Sequence, residues 1–194
     1  MSILSGKKAT GRQTHSTRRK FAFTPPLIAS FPVDGSFRVQ RSLGKARNFA
    51  TMHSITRDTE WALTVGGLGT DGTPLRSVEL FTISPTQPGC VDGVPASADD
   101  GCWVDLQSGL ELERPTWGHS SVVSTDGKRV TVVGGYTSND RSGATNKVIE
   151  LDVAFIEYRE VSELPTALGE AAVELGFDGD FTYVLVTGGR VGDT

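Results

Sequence analysis

Apolar runs in this chain are short, rich in β-branched residues, and separated by clusters of Gly, Asp, Ser and Asn. Trp61 to Val65, Val130 to Val133 and Tyr183 to Thr187 are three such runs, and each is closed by a diglycine: Gly66-Gly67, Gly134-Gly135 and Gly188-Gly189. Runs of four to eight residues bounded by turn formers predict strands. No long stretch places apolar residues at helical spacing, so the pattern predicts an all-β protein. The glycines have a physical task, because a chain leaving a strand on a tight path needs positive φ or a backbone without Cβ against its neighbour.

The diglycines also mark a repeat. Their first glycines stand at 66, 134 and 188, giving steps of 68 and 54 residues, the longer of which should contain an insertion. Unit one runs from Arg47 through His53-Ser54, the first diglycine, Ser77-Val-Glu-Leu-Phe81 and Trp103. Unit two runs from Arg114 through His119-Ser120, the second diglycine, Val148-Ile-Glu-Leu-Asp152 and Tyr158. Unit three begins near Leu168-Gly169-Glu170 and reaches its diglycine, with Glu170 where the histidine is expected and Thr166-Ala167 in place of Arg114-Pro115. Phe37 to Gln40 reads as the last strand of a preceding unit. Self-similarity at this period points to a propeller or array.

An arginine before the first strand, a diglycine after the second and an aromatic in the fourth together resemble the kelch repeat, over about residues 37–194. The resemblance implies kelch-type β-propeller blades, each a four-stranded antiparallel sheet around a central channel. It divides the chain into a basic arm, 1–36, that can supply first strands, and units of about 47–113, 114–165 and 166–194, the last incomplete. Propellers usually have about four to eight blades, so the expectation is an incomplete propeller, read first as a fragment of a longer one. Further blades would come from the same or another chain.

In kelch-like propellers the loops after the diglycine and the residues leading into the next inner strand build one binding face. Carried over, this selects Arg47, Asn48, Asp71, Arg76, Arg114, Trp117, Tyr136, Asn139, Asp140, Arg141 and Arg190. Trp103 and Tyr158 join the glycines as structural residues. Arg and aromatic side chains suit binding hot spots because they bring area and directed hydrogen bonds. Arginines at matching places in successive units suggest a protein partner bearing an acidic segment. The expected function is therefore a protein-interaction module, with part of a propeller enzyme acting on sugars or alcohols as the alternative, its catalytic residues lying outside this chain.

Other chemistry finds less footing. Gly67-Leu-Gly69-Thr-Asp-Gly72 satisfies the dinucleotide pattern, yet Thr73-Pro74 and a strand follow where a helix must open. His53 and His119 read as repeat-equivalent packing or channel-lining residues. No catalytic set or metal-ligand cluster stands out, Asp99-Asp100 reads as solvated charge, and no cofactor or metal is expected.

The net charge of −4 conceals an asymmetry, because residues 1–33 hold six basic and no acidic residues. The remainder then carries 13 basic against 23 acidic residues, or −10, which would repel nucleic-acid phosphates. The Ser-rich basic arm reads as a solvated, disordered segment, with an organellar transit peptide as the alternative. No apolar run approaches the roughly 18–20 residues that span a membrane. Cys90 and Cys102 lie near the ends of the insertion. The step from Glu79 to Trp103 is 24 residues and that from Glu150 to Tyr158 is 8, so the insertion is a 16-residue loop. A disulfide there would stabilise by roughly 2 to 3 kcal/mol and fit a secreted or organellar protein. The absence of a visible signal segment fits a cytoplasmic one.

Overall fold

The computed structural model describes residues 42–57, 60–83, 89–91, 93, 101–106, 110–179 and 181–192, together with two short pairs. Those pairs are β1 (Ala29–Ser30) and β2 (Arg38–Val39), joined antiparallel. Strand structure expected at Phe37 to Gln40 is thus present at Arg38–Val39, while the other residues of the 1–36 arm lie outside the described residues, as does Asp99-Asp100.

Unit one follows with β3 (Arg47–Asn48), β4 (Thr51–Arg57), β5 (Glu60–Val65), β6 (Leu68–Gly69), β7 (Val78–Thr82) and β8 (Cys102–Asp105). Strands β4, β5, β7 and β8 form a four-stranded antiparallel meander, and β3 pairs with β6. Unit two repeats it with β9 (Ser120–Val123), β10 (Arg129–Val133), β11 (Lys147–Asp152) and β12 (Glu157–Glu163), again four antiparallel strands in sequence order. Unit three is a hairpin of β13 (Gly169–Asp178) and β14 (Phe181–Arg190). The described residues are thus all-β, as the apolar pattern predicts, and no sheet closes on itself.

Hydrogen-bond register fixes which residues are equivalent, and it corrects the alignment made by matching letters. Thr51 pairs with Val65 and Ser120 with Val133, each strand residue just before a diglycine; Ala172 pairs with Thr187 in the same way. Thr51, Ser120 and Ala172 are therefore equivalent. It follows that His53 matches Val122, His119 matches Ala50, and Glu170 replaces Gly118 and not the histidine. Arg47 corresponds to Thr116, and Lys45, not Arg47, corresponds to Arg114. On the third strand, Val65 pairs with Val78 and Val133 with Val148, so Glu79 corresponds to Ile149. Trp103 and Tyr158 do coincide, opposite Phe81 and Leu151 respectively. Phe81 to Trp103 spans 22 residues and Leu151 to Tyr158 spans 7, so the insertion is 15 residues, one fewer than letter matching gives.

Each unit is joined to the next by the same backbone bonds. Gly67 N–H donates to Thr116 O (2.8 Å) and Gly135 N–H to Leu168 O (2.9 Å); Gly118 N–H donates to Phe49 O (3.1 Å) and Glu170 N–H to Gly118 O (2.6 Å). The acceptors and donors of that second set, Phe49, Gly118 and Glu170, all have positive φ, 53°, 58° and 55°. The first glycine of each pair lies at φ 53–68° and the second at 93–104°. At Gly134 the need is double, because a Cβ would sit 2.2 Å from Leu168 O. Inner strands consequently lie side by side, with β9 between β4 and β13.

The core lies between the two complete sheets. Leu63, Val65, Val78 and Leu80 of unit one meet Leu110 and Leu112 of the connector and Val130, Val132, Ile149 and Leu151 of unit two. Pairing in register puts Leu63 beside Leu80 and Val130 beside Leu151, which gives each sheet one continuous apolar face. Burying each such side chain contributes about 1.5–3 kcal/mol. Unit three leaves apolar side chains open on both faces of its hairpin, Phe177 on one and Phe181 and Leu185 on the other.

The structure bonds Cys90 to Cys102, with Cα atoms 5.7 Å apart. Cys90 also makes a bridge to Val104, so the insertion is tied to the edge strand β8 as well as to itself. Gly67 to Gly72 forms a closed loop, with Gly69 N–H donating to Thr73 O and Gly72 N–H to Gly69 O, and the chain goes on to β7 without a helix. Among the described residues no helix is long and apolar enough to cross a membrane, and no group of three or more His, Cys, Asp or Glu could hold a metal.

Candidate functional site

Three aromatic rings meet at the diglycine end of the joint between units. Trp117 precedes the positive-φ residue Gly118, and that sharp path turns its ring back over the loop after the second diglycine. Its ring centre is 5.5 Å from that of Phe49 in unit one and 5.0 Å from that of Tyr136 in unit two, both tilted. Trp117 and Tyr136 are buried while Phe49 is exposed, so the stack presents Phe49 to solvent. The indole N–H donates to Ser138 O (2.6 Å) and the Tyr136 hydroxyl to Arg190 O (3.0 Å). A Cβ on Gly169 would lie 2.4 Å from the Tyr136 ring, so unit three packs directly on this stack.

Charge is arranged around the rings. Arg141 places its guanidinium 5.4 Å from the Trp117 ring centre and makes an ion pair with Glu170 at 2.8 Å. It holds positive φ, 67°, at the end of a turn closed by Asp140, which accepts the Ser142 N–H (3.1 Å) and hydroxyl (2.7 Å). Those bonds to the Ser142 hydroxyl and amide hold the Asp140 carboxyl down at about 2. Asn139 is exposed in the same turn. Trp117, Tyr136, Asn139, Asp140, Arg141 and Arg190 thus come together.

The remaining binding candidates stand apart from this group. Asn48, Asp71, Arg76 and Arg114 are exposed. Asp71 accepts the Thr73 N–H at 2.9 Å, which lowers its pKa. Arg76 donates to Leu112 O (2.8 Å) and lies 3.7 Å from Glu111, bracing the connector. Arg47 is buried, and its guanidinium is committed to Glu79, to Ser77 Oγ, and to the carbonyls of Gly66 (2.8 Å) and Ser77 (3.1 Å). Burial lowers its pKa, with Glu79 opposing. Arg47 is therefore an internal strut with no face toward a partner.

This fold is similar to that of YjhT. The likeness to that solved structure has a TM-score of 0.56 at 15% identity, and covers 82% of this chain and 57% of that one. The chain therefore spans a little over half the length of YjhT, and the likeness to YjhT concerns the fold alone. No family model and no curated protein matches the chain.

Two residues of this region had no signal in the sequence reading. Phe49 and Glu170 take the left-handed conformation without being glycine, and only Gly118, at the equivalent position of unit two, hints at it. Glu170 gains an ion pair there, and Phe49 gains the stack on Trp117.

The histidines have separate tasks. His53 Nε2 is 2.6 Å from Ser121 Oγ, and His119 Nε2 is 3.0 Å from Thr51 Oγ1, so each ties β4 to unit two. Ser120 continues the seam by donating to Ala171 O in unit three. Nδ1 of His119 is buried without a partner. Burial, and then the charge of His53, push the His119 pKa down to about 4, and burial lowers that of His53. Neither histidine shares its position with the other, which leaves no repeated histidine ring.

Proposed function

We propose that this chain is part of a kelch-like β-propeller acting as a protein-interaction module, with the diglycine-end loops as its binding face. The observation that carries the reading is the Phe49–Trp117–Tyr136 stack with Arg141 over it, built from two units and packed against a third. A composite site of this kind, held by backbone bonds between units, is rigid before any partner arrives, which reduces the ordering cost of binding. Support for a propeller comes from the side-by-side inner strands and the identical joints between units. An open apolar face on β13–β14 is suited to the packing of a further blade.

The partner we propose is a peptide segment bearing carboxylates. Arg141 is partly exposed at the rim of the stack, and Arg190 joins it there through its carbonyl, which accepts the Tyr136 hydroxyl. Glu170 already neutralises Arg141, so an acidic residue would replace that intramolecular pair with an intermolecular one. The Cys90–Cys102 bridge supports an oxidising compartment, and to that extent favours the secreted or organellar alternative over a cytoplasmic one.

The test is selection of acidic peptides from a displayed library on immobilised protein, followed by calorimetry with the strongest binder. Combining Arg141→Ala with Arg190→Ala should weaken that binder at least about tenfold, as expected when charge-assisted hydrogen bonds are lost. Unchanged affinity in the double variant, or no acidic peptide recovered, would remove this face from consideration.

A further inference from the structure

Unit two contains a cleft of about 240 Å³ whose lining includes Thr116, Val132, Gly134, Lys147 and Ile149. By the hydrogen-bond register these are the counterparts of Arg47, Thr64, Gly66, Ser77 and Glu79. The cleft therefore occupies the place that, in unit one, is filled by the guanidinium of Arg47. We propose that this cleft is a receptor for a guanidinium group, the side chain of an arginine presented by a partner peptide.

The equivalence is fixed at several independent points. Arg47 precedes Asn48, which pairs with Leu68, and Thr116 precedes Trp117, which pairs with Tyr136. Leu68 and Tyr136 are each two residues past the first glycine of their pair. Gly66 N–H donates to Ser77 O and Gly134 N–H to Lys147 O, both at 3.0 Å. In unit one, Arg47 Nη1 donates to the carbonyls of Gly66 and Ser77, so the backbone at this place is already shaped to accept a guanidinium edge. Gly134 and Lys147 supply the corresponding backbone in unit two.

What differs is the side chain that would plug the site. Thr116 is short, and its hydroxyl turns back to Arg114 O at 2.9 Å. Ile149 replaces the Glu79 carboxylate and, with Val132, makes an apolar wall suited to the methylene stem of an arginine. Carboxylates come instead from Glu113 and Glu160, both in the lining. Glu113 accepts the Tyr158 hydroxyl (3.3 Å) and Glu160 meets Lys147 Nζ (2.6 Å).

An anionic ligand fits less well, although Arg114 and Lys147 also line the cleft. Lys147 is held by two carboxylates, Glu160 and Glu163 at 2.6 and 2.5 Å, so its charge is spent. A guanidinium could take Glu160 and leave Lys147 its bond to Glu163. Planar, multidonor geometry suits this site better than an ammonium, because two backbone carbonyls and a carboxylate must be met at once. The proposal concerns a different place from the Trp117 stack and does not depend on it.

Amide NMR titration with N-acetyl-arginine methylamide tests this, using N-acetyl-citrulline methylamide, N-acetyl-lysine methylamide and inorganic phosphate as comparisons. The arginine amide should give saturable shifts at Gly134, Thr145 and Lys147, with the citrulline and lysine probes at least roughly tenfold weaker, since a charge-assisted bidentate contact is lost. Transplanting the unit-one residues, Thr116→Arg with Ile149→Glu, should fill the cleft from within and abolish the response. Should that pair disturb folding, Glu113→Gln with Glu160→Gln should weaken the arginine probe by a similar factor without touching the core. Equal response to citrulline, shifts with phosphate alone, or no saturable response to arginine would each overturn the assignment.

Discussion

Replacing Glu79 with glutamine is expected to destabilise the chain by about 3–5 kcal/mol, the cost of leaving a buried charge without its partner. Arg47 and Glu79 have side chains that are 1% and 0% exposed, so water cannot compensate the guanidinium. Glu79 also accepts the backbone N–H groups of Gly44 (2.7 Å) and Lys45 (3.1 Å), which hold the segment leading into unit one against the sheet. Glutamine keeps one acceptor for those amides but no charge for Arg47. Unit two shows what an apolar solution looks like at the same positions, Thr116 and Ile149. Arg47→Thr combined with Glu79→Ile should therefore recover most of the loss, as apolar replacement of a whole buried pair often does. Urea unfolding of the two variants and the parent measures both. A small loss in Glu79→Gln, within about 1 kcal/mol, would mean that the pair is hydrated.

Acid should weaken the joint between units through His119. Its folded pKa is about 4 against an ordinary 6.5, so below pH 6.5 the unfolded chain binds a proton that the folded chain refuses. The sign is then fixed: stability falls as pH drops from about 6.5 and levels off near 4, with a total loss of roughly 3 kcal/mol from this residue. His53 has a lowered pKa from burial and adds in the same direction. Urea unfolding at a series of pH values, compared with His119→Phe, separates this residue from the carboxylates that titrate lower. The variant should lose most of the slope between pH 6.5 and 4.5, and an unchanged slope would show that His119 can be protonated in the folded chain.

The strands themselves were legible, because alternation of β-branched runs with turn residues is a local signal. Trp61 to Val65 predicts β5 within one residue, and the cysteines near the ends of one insertion are bonded to each other. Register was less legible. Arg47 and Arg114, Glu79 and Glu150, and His53 and His119 look like pairs in the letters, but they are offset in the ladders. An offset of one residue on a strand turns a side chain to the other face. Glu79 consequently points inward to Arg47, while Glu150 faces Arg159 at the edge. Nothing local in the sequence distinguishes these outcomes, since the ladder pairs that decide them join residues 13 to 15 positions apart. Of the candidate site, the Trp117, Tyr136 and Arg141 group was readable from the loop after the second diglycine. The contributions of Phe49 and Glu170 were not, because they depend on a backbone conformation that glycine alone would have announced.

The central claim is that consecutive units are joined by one repeated set of backbone hydrogen bonds, which brings the inner strands side by side. Scalar couplings across hydrogen bonds, measured between amide nitrogen and carbonyl carbon in deuterated protein, test it directly. The account predicts couplings from Gly67 to Thr116, Gly135 to Leu168, Gly118 to Phe49 and Glu170 to Gly118. Absence of all four, in spectra that show the couplings within β4–β5 and β9–β10, would contradict it.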